Sequence, residues 1–356
     1  MNITQAKFPI QKIEQSRINA VDFKNLKFGK EFSDHMFIAD YFNGKWQSAK
    51  IQAFQNLSYS PAACVFHYGQ AIFEGMKAYK AKDGRVLLFR PEENFNRFNR
   101  SADRMCMAQI PKEYFLDGIK ELIRTDKDWI PSAPDQSLYI RPFLVANEAF
   151  LGVKPSDTFQ FMIITSPTSS YYQGAVKVKI ENKYSRAASG GIGAAKAAAN
   201  YAASLYPAQL AKKEGYDQLI WTDASKHEYI EESGTMNLML VKNGVLITPP
   251  LDSLTILPGI TRDSIIRLAK HWKIPVEERK VGVAELIEGL EDKCISELFG
   301  VGTAATLAPI ASVGYEGKNH QLSDFKNWEF SNKAKNYLEL LKRGEIADDF
   351  GWTVEV

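Results

Sequence analysis

The chain is poor in cysteine: only Cys64, Cys106 and Cys294 occur, far apart and without metal-ligand spacing. Neither a disulfide framework nor a metal site is expected from such a set. It has no apolar run approaching the ~20 residues that span a bilayer. No apolar h-region opens it either, and Glu14 and Asp22 interrupt anything resembling a basic transit segment. A cytoplasmic protein with no membrane association is therefore expected. Neither sign of charge prevails, because 44 basic residues face 42 acidic ones for a net charge of +2. That balance offers no footprint for nucleic acid. Internal repeats and low-complexity tracts are also absent, so an ordinary soluble composition points to a small-molecule ligand.

The 356 residues suffice for about two domains. Asn43-Gly44, Asp83-Gly84 and Asn243-Gly244 each separate strand-like runs and predict hairpin turns. Pro91 opens a helix with Phe95, Phe98 and Ala102 on its apolar side. Lys112 to Ile130 reads as one amphipathic helix with the stripe Phe115, Ile119, Leu122 and Ile123. Ser137 to Val145 and Phe159 to Thr165 read as strands. The Ser, Pro, Thr and Gly of the following stretch mark a linker. Beyond it strands and helices alternate, with helices near 200–214, 257–272, 283–290 and 332–341. The expected fold class is mixed α/β in two domains: a small N-terminal domain over 1–165, a linker over 166–175, and a large C-terminal domain over 176–356.

The stretch Ser189 to Tyr201 presents one lysine, Lys196, among glycines and alanines. A lysine so placed suggests a Schiff base to a carbonyl cofactor. A phosphate-binding P-loop would need glycine directly before the lysine and a hydroxyl after it, whereas Lys196 stands between Ala195 and Ala197. The competing reading is a solvent-facing lysine at the mouth of an Ala-rich helix. Gly259, Ile260 and Thr261 fall at a predicted helix start, where backbone N–H groups and the helix dipole favour a phosphate; Thr261 is equally placed to cap that helix. Glu232, in EESGTMN, reads by itself as a solvated turn residue. The small-residue loop GVGTAAT has N–H groups suited to a carboxylate, or is a close-packed turn. Arg97 is a fork for phosphate or a solvent-facing helix arginine.

Taken together and in this order, FEGMKAYK, the Lys196 stretch with Asn200-Tyr201, ESGTMN, LPGITR and GTAAT resemble the branched-chain amino acid aminotransferases over about Met36 to Phe350. That family belongs to the fold type IV, D-amino acid aminotransferase-like, pyridoxal-phosphate enzymes. The resemblance implies pyridoxal 5′-phosphate as cofactor and Lys196 as the catalytic Schiff-base lysine. Tyr201 would bond the cofactor's ring oxygen, and Glu232 its pyridine nitrogen. Arg97, Ile260, Thr261 and Thr303 would anchor the phosphate, with Arg186 a weaker candidate. Thr303 and Ala304 would hold the substrate α-carboxylate, while Tyr68, Phe73 and Tyr139 line the side-chain pocket and Tyr171 covers it. Arg141, two residues after Tyr139 on one strand face, would receive the distal carboxylate of glutamate; an ordinary structural ion pair is the alternative. The implied substrates are branched-chain L-amino acids, their 2-oxo acids, glutamate and 2-oxoglutarate. A homodimer is implied as well, with the loop Leu151-Gly152-Val153 placing Val153 at the partner's substrate site.

The chain departs from some family members at Ala305-Thr306-Leu307-Ala308, where those carry a redox-sensitive Cys-x-x-Cys. Two alternatives remain within the fold, a D-amino acid aminotransferase and an aminodeoxychorismate lyase. From another class, a catalytically silent binding protein on the same scaffold is the alternative.

Overall fold

The computed structural model describes residues 7–169 and 174–356. The chain forms two compact units, one from Met1–Tyr171, Ala195–Ala199 and Leu340–Val356, the other from Tyr172–Ala194 and Asn200–Glu339.

The first unit is built on an eight-stranded sheet. β1 (His35–Phe42) and β2 (Lys45–Ala53) form a hairpin about Asn43-Gly44, whose φ angles of 51° and 73° need residues that tolerate the left-handed region. β3 (Ala71–Phe73), β4 (Met76–Lys80) and β5 (Val86–Phe89) follow α1 (Cys64–Tyr68); α2 (Pro91–Arg104) and α3 (Gly118–Thr125) precede β6 (Ser137–Ala146) and β7 (Phe159–Thr168). Phe98 and Phe115 pack with Phe161 of β7, ring centroids 5.5 and 6.0 Å away, which joins α2 to the sheet.

Three expectations change in this unit. The single helix over Lys112–Ile130 is three pieces, a π turn at Glu113–Asp117, α3, and a 3₁₀ turn at Lys127–Trp129. α3 stops because the buried Asp126 carboxylate leaves the helical path to accept the His35 backbone N–H at 2.9 Å and meet its Nδ1 at 2.6 Å. Ser166–Thr168, read as linker, are the end of β7, since they pair with Ser137–Tyr139 of β6 in register. Finally, the C-terminal strand Thr353–Glu355, expected within 176–356, pairs with β5, and Trp352 packs edge-on against Phe89 at 5.7 Å.

Among the described residues the second unit holds nine strands. They are β8 (Val176–Ile180), β9 (Gln218–Thr222), β10 (Ile230–Ser233), β11 (Met236–Lys242), β12 (Val245–Thr248), β13 (Val276–Glu278), β14 (Ile295–Gly302), β15 (Thr306–Tyr315) and β16 (Lys318–Gln321). The order runs β10-β9-β8-β15-β14-β11-β12-β13, and an added β10–β11 pairing closes the first six into a ring. Val178, Ile220, Leu238, Leu298 and Ile310 belong to its buried core. The helices are α4 (Ala198–Lys213), α5 (Ile260–His271), α6 (Val283–Glu291) and α7 (Phe330–Lys342). Among the described residues no helix is long and apolar enough to cross a membrane.

Candidate active site

In the first unit the backbone of Lys196 is clamped on both sides. Its N–H donates to Ser101 Oγ of α2 at 2.9 Å, and its carbonyl accepts the Phe73 N–H of β3 at 3.1 Å. Ile72 and Ala197 form an isolated antiparallel bridge beside it. The Lys196 ammonium lies 4.9 Å from the Phe73 ring centroid, so this is a half-buried lysine over an aromatic face rather than a solvent-facing one.

The same ring carries a second cation. Arg141 Cζ is 4.6 Å from the Phe73 centroid and 5.3 Å from that of Tyr139, and Arg141 Nη2 donates to the Tyr139 hydroxyl at 3.0 Å. Arg141 Nε is buried with no hydrogen-bond partner, and no carboxylate among the described residues forms an ion pair with this arginine. The structural ion pair weighed for it is thus not found among them. Gly75, the glycine of FEGMKAYK, is needed because a Cβ there would overlap the Tyr139 hydroxyl. Tyr68, 40% exposed at the end of α1, donates its hydroxyl to Leu151 O. Val153 is 87% exposed. Tyr171 lies outside the described residues.

Arg97 is not solvent-facing. Its Nε and Nη2 donate to Glu74 Oε1 and Oε2 at 2.7 and 2.8 Å, and Glu74 also accepts from Asn94 Nδ2 at 2.7 Å and the Gly75 N–H at 3.1 Å. Glu74 is fully buried. Burial opposes its ionisation, yet the Arg97 guanidinium, the Lys196 charge and the Asn94 amide together hold its carboxyl below the ordinary glutamate value. Sequence reasoning passed over Glu74, although its place between Phe73 and Gly75 in a quoted motif was a signal.

In the second unit Glu232 is a buried strand residue of β10, 3% exposed, and not the solvated turn residue of the isolated reading. One carboxylate oxygen meets Arg186 Nε and the other accepts Asn237 Nδ2 at 2.9 Å. Arg186 also donates to Gly193 O at 3.1 Å. In the preceding residue, Glu231, burial and the neighbouring Glu232 charge push the carboxyl up against the opposing hydrogen bond from Thr255. Thr261 does not cap α5: Gly259 is the N-cap residue, no side chain caps this end, and Thr261 lies buried within the first turn behind Ile260. Thr303 and Ala304 occupy the turn between β14 and β15, closed by the Gly302–Thr306 pair. Thr306 is itself anchored through its hydroxyl to Glu339 of α7 at 2.7 Å. Tyr201 lies in the first turns of α4, half-buried.

Taken unit by unit, these groups suit parts of pyridoxal phosphate chemically. The first unit offers an amine for an aldehyde, and the second offers a buried carboxylate held by Arg186 and Asn237 for a basic ring nitrogen and a helix start without a side-chain cap for an anion. Among the described residues no group of three His, Cys, Asp or Glu could hold a metal ion.

Residues 71–313 match the model of the amino-transferase class IV family. The chain belongs to the class IV aminotransferases. Within that family it is similar to branched-chain-amino-acid aminotransferase 2 of Bacillus subtilis (strain 168), 45% identical over 94% of this chain and 93% of the relative. It is also similar to the branched-chain-amino-acid aminotransferase of Mycolicibacterium smegmatis, 40% identical over 92% of this chain and 91% of the relative. Among solved structures, the Escherichia coli branched-chain amino acid aminotransferase superposes with a TM-score of 0.73 at 29% identity, covering 88% of this chain and 98% of that one.

Proposed function

We propose that the protein reversibly transfers the amino group of L-leucine, L-isoleucine or L-valine to 2-oxoglutarate, with pyridoxal 5′-phosphate as cofactor. The cofactor, when bound, supplies an electron sink for the charge left at the substrate α-carbon. The Lys196 amine would hold the cofactor at its aldehyde carbon, and Lys196 Nζ is the base that would take the substrate α-proton and return it. Glu232 keeps a proton at the ring nitrogen, and the Tyr201 hydroxyl bonds the ring oxygen. Ile260, Thr261, Thr303 and Arg97 hold the phosphate, while the Thr303–Ala304 backbone receives the substrate α-carboxylate.

The observation that carries the substrate reading is the pair of cations on Phe73, with Lys196 Nζ at 4.9 Å and Arg141 Cζ at 4.6 Å from the ring centroid. An apolar wall of Tyr68, Phe73 and Tyr139 favours a branched side chain by ~0.8 kcal/mol per buried CH₂. Such a wall rejects glutamate's distal carboxylate unless a cation stands beside it. Arg141 supplies that cation, and no carboxylate among the described residues pairs with it. We further propose a cytoplasmic homodimer in which Val153 reaches the partner's substrate site.

Absorbance spectroscopy tests the reading. L-leucine should bleach the visible band of the lysine-bound cofactor, and 2-oxoglutarate should then restore it. A spectrum that responds to D-alanine and not to L-leucine would move the protein to the D-amino acid branch of the fold. An active monomer in sedimentation would overturn the dimer.

A further inference from the structure

Three of the sequence motifs meet at Asn237, a residue with no titratable group and a burial that leaves it only 5% exposed. On β11 it stands directly across from Glu232 of β10 and, on its other side, from Val301 of β14, two residues before Thr303. Its amide has two N–H donors, and both are used: one goes to Glu232 Oε1 at 2.9 Å and the other to Leu257 O at 2.8 Å. Both partners are pure acceptors, so the orientation of the amide is forced. The amide oxygen turns the other way, against Gly259, where any Cβ would overlap it. The glycine of LPGITR is therefore small because Asn237 occupies the space. One buried side chain thus joins the strand carrying Glu232 to the turn that opens α5.

We propose that Asn237 is a positioning residue for Glu232: it fixes one carboxylate oxygen, leaves Arg186 on the other, and so presents an oriented carboxylate to the ring nitrogen of the cofactor. This rests on the role given to Glu232 above. A carboxylate held at one oxygen only would rotate, and its hydrogen bond to a ring nitrogen would lose direction. Hydrogen bonds to charged groups are among the stronger ones, so the loss is measurable.

The test separates action through the ring nitrogen from a general effect on the fold. Full-length protein freed of cofactor is titrated with pyridoxal 5′-phosphate and with its analogue in which the ring nitrogen is replaced by carbon. Wild type should prefer pyridoxal 5′-phosphate. Asn237→Leu, close in shape and without donors, should bind pyridoxal 5′-phosphate about tenfold more weakly and the analogue about as well as wild type does. Asn237→Ala, which removes the same donors with less volume, should show the same selective loss, which keeps the test intact if Asn237→Leu fails to fold. Equal losses for both ligands, or no loss for either, would overturn the proposal. Equal wild-type affinities for the two ligands would instead remove Glu232 from the ring nitrogen, and the positioning role with it.

Discussion

Two arginines of the first unit, Arg97 and Arg141, differ in what surrounds them. Arg97 grips the fully buried Glu74 through two parallel hydrogen bonds of 2.7 and 2.8 Å. Arg141 lies against two aromatic rings, shares one hydrogen bond with a neutral hydroxyl, and has a buried Nε with no partner. A buried guanidinium matched to a carboxylate is satisfied within the fold, and its loss is felt as stability. Arg141 is only half-buried, but its Nε is buried without a partner, and a buried donor left unpaired is costly to keep. The first arrangement fixes the guanidinium for which a phosphate contact is proposed, and the second is the one proposed to receive a substrate carboxylate.

Loss of the residue that shares Phe73 with Arg141 gives the largest expected effect. Lys196→Ala should abolish turnover and the visible absorbance of bound cofactor while leaving the thermal unfolding of the cofactor-free protein nearly unchanged. Persistence of the band in this variant would detach the chemistry from the Phe73 face. The paired arginine comes next. Glu74→Ala strands Arg97 in the interior and should lower folding stability by about 3–5 kcal/mol, read from denaturant unfolding. A loss under about 1 kcal/mol would show that Arg97 finds water or another partner, and would erase half of the contrast.

Arg141→Met sharpens the other half. Replacing an arginine that has no carboxylate partner by an apolar side chain should change folding stability by less than about 1 kcal/mol. In single-turnover kinetics the half-reaction with 2-oxoglutarate should weaken roughly 30-fold or more, with far less change for leucine, because truncating one member of a buried charge pair costs about 2 kcal/mol or more. Equal losses on both sides would return Arg141 to a structural role.

What the sequence made legible follows the reach of each signal. Turn chemistry is local, so Asn43-Gly44 and Asn243-Gly244 located their hairpins. Periodicity located α5 and α6 to within a few residues. The break of α3 was hidden because its cause, His35, is 91 residues away from Asp126. The docking of Thr353–Glu355 on β5 was hidden for the same reason, since strand pairing carries no mark in a three-residue strand. For the site, motif order singled out Lys196 and Glu232, but not what holds them. Glu74 and Asn237 lay inside quoted motifs and went unremarked, because a residue that acts on a neighbouring side chain has no chemistry of its own to announce. Arg186, weighed as a weaker phosphate anchor, is found on Glu232.

A third arginine sets the lower end of the scale. Arg279 binds Glu285 with two hydrogen bonds of 2.9 and 2.8 Å, a geometry as good as that of Arg97, but it is 37% exposed. Hydrogen bonds from Arg279, opposed by partial burial, and a further one from Lys242 hold the Glu285 carboxyl down at about 2. Its folded value lies below its unfolded one, so the stability it contributes is present above the ordinary glutamate range near 4.5 and is lost as pH falls through about 2. Water screens an exposed pair, so Glu285→Gln should cost no more than about 1 kcal/mol at neutral pH. The gap between wild type and variant in thermal unfolding should narrow steadily below pH 4.5 as wild type loses the pair. A gap as large as that of Glu74→Ala would mean that hydrogen-bond geometry and not burial sets what these arginine pairs contribute, and one that does not change with pH would detach the loss from the Arg279–Glu285 pair.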